Sequence, residues 1–152
     1  MASYFFDSSA IAKRYLTELG SAWVRTIANP AAMHDIYLVR VTPVEVVSAL
    51  VRQSPPLPAV DLARNLIDFR HDYQNQYQMV AVNEAVVDRA MTLAETHRLR
   101  GYDAVQLAAA LELLAVGASA GLPQLNFISA DNQLNAAAGA EGLKVDNPTT
   151  HP

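Results

Sequence analysis

The run Tyr4-Phe5-Phe6 passes directly into Asp7, Ser8, Ser9 and Ala10. Three consecutive aromatic residues bounded by polar ones suit a buried first strand. Asp7 then stands at the carboxyl end of that strand, and open α/β sheets bind ligands in the crevice beyond such ends. What the chain can do depends on whether other acids arrive at the same crevice.

The same alternation continues along the chain. Residues 8–19 carry Ile11, Tyr15, Leu16 and Leu19 at helical spacing, with Gly20 expected just past the helix end. A second helix is expected from Ser21 to the Asn29-Pro30 stop, and a β-branched and aromatic strand at 34–41. Thr42-Pro43-Val44-Glu45 predicts a helix start: Thr42 as N-cap, Pro43 at the first helical position, Glu45 closing a capping box. That helix runs to about Arg52 and stops before the proline-rich 54–58 linker. A polar helix is expected at 60–77, a short strand at 78–82 and an Asn83-capped helix at 84–97. An Ala/Leu-rich helix follows from Asp103 to Val116, then a strand at 123–129. A short helix between Asp131 and Gly139 and an edge strand at 143–145 complete the order. Strands alternating with helices imply an α/β fold, a mostly parallel central sheet with helices on both faces, in one domain over 1–152.

An apolar content of 51 % with 17 % charged residues fits a packed globule rather than a disordered chain. The sequence has no cysteine, which excludes disulfides and thiolate metal sites and fits a reducing cytoplasm. The N-terminus lacks a basic region followed by an apolar run, so no signal peptide is expected. The apolar stretch 104–122 is interrupted by Gln106, Glu112, Gly117 and Ser119, as befits a core helix rather than a membrane span. The net charge of −4 counts against sequence-independent electrostatic binding of nucleic acid, unless some acids are gathered and neutralised.

Asp7, Glu45, Asp103 and Asp131 each fall at or near a predicted helix start. Singly, each has a plain explanation, since a carboxylate in the first turn is stabilised by about 0.3–1 kcal/mol. Three of the four helices follow directly on strands, however, after Phe6, Val41 and Ile128, and those junctions share one edge of a parallel sheet. Carboxylates brought together there repel one another unless a cation is present. An all-oxygen set suits Mg²⁺ or Mn²⁺, and the lack of cysteine or a histidine pair at ligand spacing argues against zinc.

These blocks resemble the PIN-domain nucleases, and among them the VapC-type toxins of toxin–antitoxin systems. The likeness is carried by Phe6-Asp7-Ser8-Ser9-Ala10 with Lys13 and Tyr15, by Thr42-Pro43-Val44-Glu45 with Ala49, and by Tyr102-Asp103-Ala104-Val105-Gln106-Leu107-Ala108. Phe127-Ile128-Ser129-Ala130-Asp131 with Leu134 and Ala137, and Glu141-Gly142-Leu143-Lys144-Val145 before Asn147-Pro148, complete it. The resemblance implies a PIN-like three-layer fold and a pocket of Asp7, Glu45, Asp103 and Asp131 that binds Mg²⁺ or Mn²⁺. Ser129 matches a hydroxyl that supports the site, with Ser8 in a similar role. The implied activity is endoribonucleolytic hydrolysis of structured RNA, of the transfer or ribosomal class. The implied partners are a cognate antitoxin and a second copy of the chain in a homodimer. The proline-rich linker and the long polar helix after it are less typical of the family.

Setting those four of the fifteen acids aside leaves eleven acidic against eleven basic residues, so the outer surface need not repel RNA. Lys13 and Arg14 beyond Asp7, and Arg98 and Arg100 before Asp103, are the candidate phosphate contacts. Two rivals stand beside this reading. One is a catalytically silent module of the same fold that binds RNA or protein. The other, an aspartyl-phosphate phosphatase, needs Asp-x-Asp after the first strand, whereas Ser9 holds the third position here.

Overall fold

In a computed structural model, residues 1–121 and 124–152 are described. Five strands form one sheet: β1 (Ser3–Phe6), β2 (Asp35–Val39), β3 (Gln78–Val80), β4 (Leu125–Ile128) and β5 (Lys144–Asp146). Their order is β3-β2-β1-β4-β5 and every pairing is parallel. Seven helices are found among the described residues: α1 (Ser8–Ile11), α2 (Ser21–Ile27), α3 (Thr42–Val51), α4 (Ala59–Asn75), α5 (Glu84–His97), α6 (Gly101–Ser119) and α7 (Asn132–Ala140).

The aromatic run explains the three layers. Successive side chains of a strand point to opposite faces, so Phe5 and Phe6 of the central strand nucleate separate cores. Phe5 stacks on Phe127 at 5.8 Å and joins Val39 and Leu125 beneath α5, α6 and α7. Phe6 joins Ile36, Leu38 and Ile128 beneath α1 to α4. Among the described residues, α6 is the one helix long and apolar enough to cross a bilayer. Its Ala104 and the unbroken run 106–111 are buried in the protein, which makes it the core helix the sequence implies.

The connection reverses direction at β1. The chain steps outward from β1 through β2 to β3, then returns to place β4 on the other side. The crevice beyond the carboxyl ends of β1 and β4 is therefore the switch point at which sheets of this kind take ligands.

Several expected boundaries shift. The helix at 8–19 is only α1, continued by a 3₁₀ turn at Ala12–Arg14. It stops because Tyr15 and Arg14 turn inward, where Tyr15 donates to Asp72 and Arg14 bonds Gln76 and Tyr77. Gly20 does adopt a left-handed φ of 88°, but it precedes α2 rather than ending α1, and lies under Pro148. The capping box at Thr42 is absent: Val41 is the N-cap, Thr42 is a buried helical residue, and Glu45 bonds elsewhere. The polar helix ends at Asn75, so Tyr77 lies beyond the helix end, where it is buried. Asp103 lies inside the first turn of α6 rather than at its opening, because Gly101 and Tyr102 are already helical. The expected start of the β4 strand at Pro123, and Leu122 of the apolar stretch, lie outside the described residues.

A Cβ at Gly20 would meet the carbonyl of Pro148 in a backbone conformation that disfavours any side chain. Gly20→Ala is expected to lower unfolding free energy by more than about 1 kcal/mol, measured by urea titration. An unchanged midpoint would show that the 148 turn moves aside freely.

Candidate active site

Asp7 follows β1 and caps α1, and its carboxylate is almost wholly buried. Its Oδ1 accepts the backbone N–H of Ala10 at 2.9 Å. The Ser9 hydroxyl donates to both carboxylate oxygens, at 2.7 and 2.9 Å, and Ser129 donates to Oδ2 at 2.7 Å. Burial pushes the Asp7 carboxyl up to about 6; the bonds from Ser129, Ser9 and Ala10 pull it down, and the charge of Asp103 adds to the rise.

Asp131 follows β4 and caps α7, its Oδ1 accepting the N–H of Leu134 at 2.8 Å. Its own backbone N–H donates to Ser129 Oγ at 3.0 Å. One serine hydroxyl thus ties the ends of the two central strands together. Ser9 adds a second tie by accepting the N–H of Ala130 at 3.0 Å. For Asp7 and Asp131 the capping role and the convergence are therefore both real.

Glu45 projects from the first turn of α3, where its Oε1 accepts the Ser8 hydroxyl at 2.7 Å and the Gln106 amide at 3.1 Å. Asp103 projects from the first turn of α6, partly buried. Its carboxyl is raised by burial first and then by the charges of Asp131 and Glu45, while Arg100 opposes the rise. Asp7 thus feels Asp103, Asp103 feels Asp131 and Glu45, and all four belong to one end of the sheet.

The donors are hard oxygens, the chemistry Mg²⁺ and Mn²⁺ prefer. Among the described residues, both carboxylate oxygens of Asp103, Glu45 Oε2 and Asp131 Oδ2 accept no hydrogen bond from the protein. Nor, among those residues, do three acidic or histidine side chains stand close enough to enclose an ion as arranged. The set therefore fits a divalent cation by donor type and by mutual repulsion, and rotation of the half-buried carboxylates would have to close the shell.

The expected phosphate contacts divide. Lys13 is buried and paired with Glu18 at 2.9 Å. Arg14 is held by Asp72 at 3.3 Å and by Gln76 and Tyr77. Lys13 is thus engaged just beyond the 3₁₀ turn by Glu18, and Arg14 by the end of α4 and the residues that follow it. Arg98 and Arg100 are exposed, and Arg100 is near enough to act on Asp103. Two polar residues of the site went without a role in the sequence: Ser9, which grips both oxygens of Asp7, and Gln106. A lone amide inside the apolar 104–111 run was the available signal for the second.

No family model and no curated protein matches the chain. Solved structures do. PAE2754 from Pyrobaculum aerophilum is 20 % identical, with a TM-score of 0.57 over 98 % of this chain and 91 % of its own. A toxin–antitoxin complex from Klebsiella pneumoniae contains a chain 14 % identical, with a TM-score of 0.60 over 95 % of this chain and 97 % of that one. VapBC2 from Rickettsia felis, bound to a DNA fragment from their promoter, gives 8 % identity and a TM-score of 0.61 over 95 % and 98 %. The chain has the PIN-like fold. At such identities what the PIN-like chains share is architecture, and the chemistry has to be argued from the residues above.

Burial sets a pH dependence with a definite sign. Asp7 titrates near 6 when folded against 3.8 ordinarily, so the folded state holds more protons between those values. Its contribution to stability falls as pH rises through that window, by about 3 kcal/mol at roughly 1.4 kcal/mol per pKa unit. In EDTA, Asp7→Asn should remove this fall and be the more stable protein at pH 7, as read from urea unfolding between pH 4 and 7. Parallel pH profiles for the two proteins would contradict the burial argument.

Proposed function

We propose that this protein is a Mg²⁺- or Mn²⁺-dependent endoribonuclease and the toxin of a toxin–antitoxin pair. The observation that carries the reading is the convergence of Asp7, Glu45, Asp103 and Asp131 on the crevice of a PIN-like sheet, with Asp103 raised by Asp131 and Glu45. Two of the solved structures that share the fold are described as a toxin–antitoxin complex and as VapBC2, which favours a cognate antitoxin as partner. Structured RNA of the transfer or ribosomal class is the proposed substrate, and a homodimer in the cytoplasm the proposed setting.

Asp103, Glu45, Asp131 and Asp7 would hold the ion. When bound, such an ion clamps phosphoryl oxygens and lowers the pKa of water for in-line displacement. The protein's own part is placement. Ser9, Ser129 and the Ala10 N–H fix the Asp7 carboxylate, while Ser8 fixes Glu45. Arg98 and Arg100, exposed at the entry to α6, would meet the RNA backbone. In the reaction a water oxygen bonds to phosphorus, one ester P–O bond breaks, and the departing ribose oxygen gains the proton.

A catalytically silent module of the same fold is the second reading. It is favoured by the fact that, among the described residues, no three acid or histidine side chains already enclose an ion site. Thermal unfolding with and without Mg²⁺ or Mn²⁺ separates the two, because a ligand that binds only the folded state raises its midpoint. The wild type should shift and the Asp7→Asn, Asp103→Asn double variant should not. Cleavage of transfer or ribosomal RNA should fall at least about 100-fold in that variant. A metal shift that survives both substitutions, or none in the wild type, would leave Asp7 and Asp131 as helix caps and favour the binding-only module.

A further inference from the structure

Gln106 sits in the second turn of α6, 1 % exposed, where every residue from Leu107 to Leu111 is apolar. Its Nε2 lies 2.9 Å from Ser8 Oγ, 2.9 Å from Thr42 Oγ1 and 3.1 Å from Glu45 Oε1. Among the described residues its buried carbonyl Oε1 finds no hydrogen-bond partner. A buried carbonyl left without a partner is destabilising, a cost that an apolar residue of similar size would not carry.

The orphaned carbonyl has a physical cause. Turning the amide over would let Oε1 accept the Thr42 hydroxyl, but it would also set that oxygen against Glu45 Oε1. The Ser8 hydroxyl already gives its hydrogen to Glu45 at 2.7 Å, so no proton remains to separate the two oxygens. The carboxylate therefore selects the amide orientation. The amide in turn anchors the carboxylate: Oε1 takes bonds from α1 through Ser8 and from α6 through Gln106, while Oε2 takes none from the described residues. Thr42, one turn before Glu45 on α3, accepts the other amide hydrogen and holds the glutamine in place.

We infer that Gln106 is a positioning residue for Glu45: from the core of α6, it holds the Glu45 carboxylate in the one orientation that presents Oε2 to a divalent cation. The inference rests on the metal-dependent reading above and assigns a purpose to the buried amide within it. Partners that orient a metal's ligands are typically worth 10–100-fold in metal affinity.

The test is the dissociation constant for Mn²⁺ by water-proton relaxation, with unfolding midpoints in EDTA measured alongside. The proteins are the wild type, Gln106→Leu, Thr42→Val, the double variant, and Leu107→Ala as a buried substitution on the same helix. Gln106→Leu should weaken Mn²⁺ binding at least tenfold. Thr42→Val should weaken it less and add nothing in the double variant, while Leu107→Ala lowers the midpoint and leaves affinity unchanged. Equal Mn²⁺ affinity in the wild type and Gln106→Leu, or an equal loss in Leu107→Ala, overturns the positioning role and leaves the metal site standing. If Gln106→Leu does not fold, unchanged affinity in Thr42→Val overturns it. A wild type that binds no Mn²⁺ overturns the positioning role and the metal-dependent reading together.

Discussion

The carboxylate of Asp7 is 3 % exposed at the carboxyl end of the central strand, and four hydrogen bonds from Ser9, Ser129 and Ala10 hold it there. An acid in that position is costly, which is why burial drives its proton affinity upward even against those bonds. The cost is offset by what the same bonds accomplish. Ser129 receives Asp131's N–H while donating to Asp7, and Ser9 receives Ala130's N–H while donating to Asp7. The ends of β1 and β4, the two strands flanking the switch point, are thereby locked to each other through one carboxylate.

Around that centre the fold accumulates like charge. Asp103 feels Asp131 and Glu45, and Asp7 feels Asp103, in a region with hydroxyl and amide donors but with Arg100 as the cation that acts on Asp103. Stability alone would not favour such a grouping. The two phenylalanines of β1 make it tolerable, because each anchors a separate core and holds the helices that carry the other acids: Phe6 on the side of α3, Phe5 on the side of α6. Packing thus fixes where the carboxylates stand, and a cation is the natural means of relieving their repulsion.

Elements whose signals are local were readable from the sequence. The Asn83 and Asp131 caps, the parallel sheet and the core character of α6 each follow from short-range chemistry, namely a side chain beside its own helix start or an apolar run. Interactions that depend on distant partners were not. Lys13 and Arg14 look like helix-end charges until Glu18 and Asp72 are placed beside them. Thr42 and Glu45 carry the pattern of a capping box, but Ser8 and Gln106, distant in the chain, take both side chains for another purpose. Gly20, expected to close the first helix, instead precedes α2 at a left-handed position set against Pro148, more than a hundred residues away. The acids of the site were legible because strand–helix junctions in a parallel sheet share an edge; the amide and hydroxyls that orient them were not.

The most direct measurement is a crystal structure of the wild type soaked in Mn²⁺, with anomalous scattering used to locate the ion. The result expected is a peak in the crevice beyond β1 and β4, with oxygens of Asp103 and at least one of Glu45, Asp131 or Asp7 at bonding distance. An empty crevice at saturating Mn²⁺, or a peak confined to other surface acids, would contradict the claim that these four carboxylates form one metal site.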